Sequence, residues 1–125
     1  MTLQAMEPNP DWDPAANAET VAVLRSLRDE VTYRVWGADW CGDCRYQLPD
    51  FAAALDAADV PEERVEQFPV DDEKAGEHTE EYGVEFIPTI VVERDGEEVA
   101  RFVEREEVPA ADYLADRLAD LAATV

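Results

Sequence analysis

The chain has 125 residues, 31 of them acidic and 10 basic, for a formal net charge of -21. This charge makes nucleic acid and anionic membrane surfaces poor partners. The length fits one domain that buries a single core without help from metals or several disulfides. No positively charged start leads into an apolar run, and no apolar stretch approaches the roughly 20 residues of a membrane span, so a soluble, cytoplasmic protein is expected.

Residues 1–17 carry Pro8, Pro10 and Pro14 among Asn, Asp and Glu, which predicts an extended arm without regular structure, with Trp12 packing it to the body. A single domain is expected over 18–125. In its first segment, 18–29, Val21, Leu24 and Leu27 recur at helical spacing. Residues 31–36 are rich in β-branched and aromatic side chains and predict a first strand, which runs through Gly37-Ala38-Asp39 into Trp40-Cys41-Gly42-Asp43-Cys44. A helix kinked by Pro49 is expected over 45–58, then a second strand over 64–70. The acidic segment 71–81 predicts a short helix ended by Gly83. After Ile87-Pro88, two apolar runs, 89–94 and 98–103, flank Asp95-Gly96, whose tolerance of positive φ signals a hairpin. The last element, 110–123, is an amphipathic helix with Tyr113, Leu114, Leu118 and Leu121 on one side.

This order, αβαβαββα, predicts an α/β fold: a mixed sheet of about four strands, with a parallel pair, an antiparallel hairpin and helices on both faces. The two cysteines then sit at the carboxyl end of the first strand, where open α/β sheets carry their reactive groups. Cys41 falls at a helix N-terminus, where free backbone N–H groups and the helix dipole favour a thiolate. Cys44 follows one turn later, and a pair at this spacing can close or release a small disulfide by exchange. A structural disulfide there closes too short a loop to stabilise much. A zinc site needs about four ligands, and the chain offers two cysteines and His78, which lies far along in an acidic stretch.

Taken in order, Trp40-Cys41-Gly42-Asp43-Cys44, Pro49, Tyr82-Gly83-Val84, Ile87-Pro88-Thr89 and the Asp95-Gly96 hairpin resemble the thioredoxin family from about residue 31 to the C-terminus. The resemblance implies a thioredoxin-like fold and a thiol-disulfide oxidoreductase acting on disulfide-containing proteins, recycled by a reductase, with no bound cofactor and no metal. It implies Cys41 as the nucleophile and Cys44 as the resolving thiol. Pro88 is then a cis-proline facing the pair, and Trp40, Gly42, Ile87 and Pro88 bind the substrate. A monomer is expected. The alternative is a binding or adaptor module of the same shape with an idle or sensing dithiol; a peroxidase-like thiol enzyme lacks its expected arginine and threonine setting. The acid-rich, lysine-poor composition, with Lys74 the single lysine, resembles proteins of salt-loving archaea, where molar salt screens self-repulsion.

The sequence departs from the family in four places. Asp43 stands between the cysteines, where its charge opposes a thiolate at Cys41; it is a candidate general base or, in the first turn, only a complement to the helix dipole. Val35 occupies the place of a buried aspartate, and Gln67 lies nearest the place of its companion lysine. Glu104, with Glu106 and Glu107, stands near a usual glycine and predicts a narrower groove or a preference for basic partners. The usual N-terminal edge strand is not evident.

Overall fold

The computed structural model describes residues 3–73, 75–103 and 108–124, so Lys74 and Glu104, Glu106 and Glu107 lie outside the described residues. The described residues form three α-helices, α1 (Ala18–Ser26), α2 (Gly42–Ala57) and α3 (Ala110–Ala122), and four strands, β1 (Thr32–Gly37), β2 (Val65–Pro69), β3 (Thr89–Arg94) and β4 (Glu97–Val103). The strands lie in the order β2-β1-β3-β4. β1 is parallel to β2 and antiparallel to β3, and β4 returns antiparallel to β3. Asp95 and Gly96 make the β3–β4 turn at φ 53° and 83°, the two successive left-handed residues that match the twist of a hairpin. No helix among the described residues is long and apolar enough to cross a membrane.

Side chains alternate across the sheet, which gives each face its own covering. Tyr33, Val35 and Phe102 point to the helices: Tyr33 meets Phe51 of α2 edge-on, and Phe102 meets Tyr113 of α3. Helix α1 packs on both α2 and α3, with Leu24 fully buried. Leu114 and Leu118 of α3 are buried and Tyr113 and Leu121 flank them, as their spacing predicts.

The opposite face carries Arg34, Trp36, Glu66, Phe68 and Glu93. Here the expectation of a helix over 71–81 is corrected: its described residues form turns. His78 and Gly83 both stand at φ 64°. Around Gly83 the Gly83 N–H donates to Glu80 O at 3.3 Å and the Val84 N–H to Thr79 O at 2.7 Å, the pair of bonds that ends a helix. Gly83 is therefore the stop signal it was read to be, but the left-handed His78 leaves only one turn ahead of it. Repulsion among Asp71, Asp72, Glu73, Glu77, Glu80 and Glu81 opposes anything longer. The layer of helix expected on this face is a layer of turns, tied down where Trp36 Nε1 donates to Glu77 O at 2.8 Å.

Gly76 brings this layer against β2, since a Cβ there would lie 2.8 Å from the Pro69 carbonyl oxygen. That oxygen is backbone and cannot swing aside. Gly76→Ala is expected to cost about 1–3 kcal/mol, read as a lower denaturation midpoint; an unchanged midpoint would mean that the segment is not held against β2.

The N-terminal segment also differs from its expectation. Residues 4–6 and 15–17 form short 3-10 helices, and Leu3, Ala5 and Met6 are buried in the core. The prolines begin only at Pro8; the apolar residues before them have a place under the motif. Trp12 packs against the core.

Candidate active site

β1 ends at Gly37, residues 38–40 turn the chain, and α2 opens at Gly42, which makes Cys41 the N-cap with extended backbone at φ -87° and ψ 122°. Its sulphur accepts the Cys44 N–H at 3.3 Å. The sulphur thus occupies the position in which a cap satisfies an orphan donor, and where negative charge is favoured. Both thiols are free; Cys41 is half-buried and Cys44 fully buried. Burial pushes the Cys44 thiol up to about 12 against the lowering effect of a hydrogen bond with the Ala38 backbone, and the Cys41 sulphur and the Asp43 charge add to the rise. At neutral pH Cys44 therefore holds its proton while Cys41 meets solvent.

Trp40 is half exposed at 51% and Gly42 is exposed at the first helical position; Asp43 is half-buried in the first turn of α2. Antiparallel pairing sets Thr89 opposite Trp36, so Ile87 and Pro88 lie just beyond the paired part of β3, at the end of β1 where the motif begins. Both are buried, and the Ile87–Pro88 peptide bond is cis. Among the described residues no group of three or more His, Cys, Asp or Glu side chains is arranged to hold a metal ion.

Sequence reasoning missed the underside of the site. Gly37 is closely surrounded: a Cβ there would lie 3.2 Å from Leu48 Cδ1, 3.3 Å from Cys44 Sγ and 3.4 Å from Leu3 Cδ1. Val35 is fully buried and pairs across the sheet with Gln67, whose Oε1 accepts the Leu3 N–H at 2.7 Å. The Ala5 N–H donates to Asp39 Oδ1 at 3.1 Å, next to the motif. Asn9 binds α2 twice, its N–H donating to Pro49 O at 3.0 Å and its Nδ2 to Asp50 Oδ1 at 2.8 Å. The only sequence signal for this docking was the apolar content of residues 3–6.

A family model described as Thioredoxin matches residues 23–117. Among curated proteins, the thioredoxin of Chlamydia trachomatis is 38% identical over 66 residues, 53% of this chain and 61% of that one. The chain thus spans less than two thirds of the length of that relative. Among solved structures, Fasciola hepatica thioredoxin superposes with a TM-score of 0.53 at 27% identity, covering 85% of this chain and 92% of that one. A mutant thioredoxin from Halobacterium salinarum shares the fold, with a TM-score of 0.50 and 23% identity over 96% and 95% of the two chains.

Proposed function

The chain belongs to the thioredoxin family, and on that premise we propose that it reduces disulfides in other proteins by dithiol exchange. The Cys41 thiolate attacks one sulphur of the substrate disulfide; a Cys41–substrate S–S bond forms, the substrate's own S–S bond breaks, and its second sulphur leaves as a thiolate. Cys44 then gives up its proton and attacks the Cys41 sulphur. The Cys41–Cys44 disulfide closes, the first substrate sulphur departs, and two electrons and two protons have passed to the substrate. A reductase running the reverse exchange restores the dithiol, and no bound cofactor takes part.

The observation that carries this reading is the pairing of two unlike thiols: Cys41 capping α2 with its sulphur on the Cys44 N–H, and Cys44 buried behind it. Trp40, Gly42, Ile87 and Pro88 form the docking edge for the substrate. Asp43, whose charge helps keep the proton on Cys44, is the acceptor to which that proton passes in the second step. The protein works as a monomer in a salt-rich cytoplasm, a reading supported by the charge of -21 spread along the whole chain.

A redox titration of the Cys41–Cys44 pair against dithiothreitol in molar salt, read by mass, tests the proposal. One reversible two-electron couple is expected. Absence of a reversible couple would favour the adaptor reading, which the lack of an acid at Val35 makes its nearest rival.

A further inference from the structure

We propose that the N-terminal segment, through Leu3, is a positioning element for the resolving thiol, keeping the Cys44 sulphur dry and fixed against Gly37. The name "resolving" rests on the exchange mechanism above; the effect on Cys44 does not. Three side chains, Leu3, Leu48 and Cys44, converge on the one face of Gly37 that has no side chain of its own. Leu48 belongs to α2, as Cys44 does, and cannot move without it. Leu3 reaches the same point from 34 positions before Gly37 in the chain, and it is 4% exposed there.

Its anchors are specific. The Leu3 N–H binds the side chain of Gln67 and the Ala5 N–H that of Asp39, so the segment is pinned on one side to β2 and on the other to the turn that leads into the cysteines. Asn9 closes the strap on Pro49 and Asp50 of α2. Leu3 and Leu48 meet the Cys44 sulphur at Gly37, all within one buried apolar cluster that includes Val35, and Gln67 Oε1 is occupied by the Leu3 N–H. The segment therefore makes the underside of the thiol an apolar, water-excluding surface, which disfavours the charged form. Lifting it admits water and makes the proton easier to lose.

The test uses the full chain in molar salt with Cys41→Ser, so that Cys44 is the single thiol, and measures the rate of its alkylation by iodoacetamide against pH. Adding Leu3→Ala is expected to shift the profile to lower pH and raise the rate at pH 8 by about tenfold, the factor for one unit of pKa. Gln67→Leu, which removes the anchor and leaves Leu3 itself intact, is expected to act in the same direction and serves if Leu3→Ala fails to fold. Leu27→Ala, a truncation of the fully buried residue that caps the C-terminal end of α1, controls for general loosening and is expected to leave the profile in place. An unshifted profile in folded Leu3→Ala and Gln67→Leu, or an equal shift in Leu27→Ala, would overturn the proposal. The readout needs no disulfide substrate, so its failure is distinct from a failure of the oxidoreductase reading, which the redox titration decides.

Discussion

Replacing Cys41 by serine is expected to remove disulfide reduction almost completely, by about a thousandfold or more, because the attacking sulphur is lost while the rest of the site remains. Cys44→Ser should do something different. It leaves the half-buried Cys41 sulphur at the N-cap, so attack proceeds and stalls at the mixed disulfide, which accumulates with substrate and is released by added dithiothreitol. The second step also has its own pH signature in the native chain. In the mixed disulfide the Cys41 sulphur no longer carries charge, but burial, the largest cause of the raised Cys44 value, remains; below that value the thiolate fraction grows about tenfold for each unit by which pH rises. Decay of a preformed mixed disulfide is therefore expected to accelerate steeply as pH rises from about 7 to 10 in Asp43→Asn, which lacks the acceptor, and less steeply in the native chain. Equal slopes in the two would mean that Asp43 does not take the proton within the complex. Full turnover by either cysteine variant in an insulin-type assay would sink the exchange mechanism, and partners that stay bound in reductant would mark an adaptor.

The parts of this molecule that were legible in the sequence are those where local chemistry and tertiary position agree. The 31–36 run, the cysteine motif opening a helix, the Asp95-Gly96 turn and the stripe of α3 each carry a local physical reason for their conformation, and the structure places all of them close to where they were read. Two segments were not legible, for opposite reasons. Over 71–81 the composition allows a helix, but one left-handed residue, His78, and the aromatic seat on Trp36 decide otherwise. Neither has a signature in a window of acidic residues. In the N-terminal segment three prolines dominated the reading, whereas the decisive residues were Leu3, Ala5 and Met6: Leu3 fills the space beside Gly37, and the short helix that follows it packs on α2. A cavity filled from the far end of the chain has no periodicity to announce it. The same holds for the site: Cys41 and Cys44 are visible as a motif, while the dryness of Cys44 depends on side chains brought together only by folding.

Truncating Trp36 to alanine is expected to be the most damaging single change to the fold, at about 3–5 kcal/mol of stability. The ring is fully buried, stacked on Phe68 with centroids 5.0 Å apart and tilted against Tyr82 at 5.1 Å, and its N–H holds Glu77 O. It is thus the joint between the sheet and the layer of turns that replaces a helix on that face. Against a total of about 5–15 kcal/mol for a small domain, such a loss removes a large share. Trp36→Phe keeps most of the packing and gives up the hydrogen bond, at about 1 kcal/mol; urea midpoints in molar salt measure both. Salt then separates packing from charge. From about 1 M to 10 mM salt the Debye length grows from about 3 Å to about 30 Å, and the acids of 71–81 begin to repel one another and the rest of the acidic surface. The native protein is expected to melt at a lower temperature on that dilution. Trp36→Ala is expected to lose more than the native chain does, because the layer most crowded with carboxylates has lost its seat. Equal melting of the native chain at both salt levels would end the salt-adaptation reading, and a loss below about 1 kcal/mol in Trp36→Ala would mean that the turn layer is held by something other than this ring.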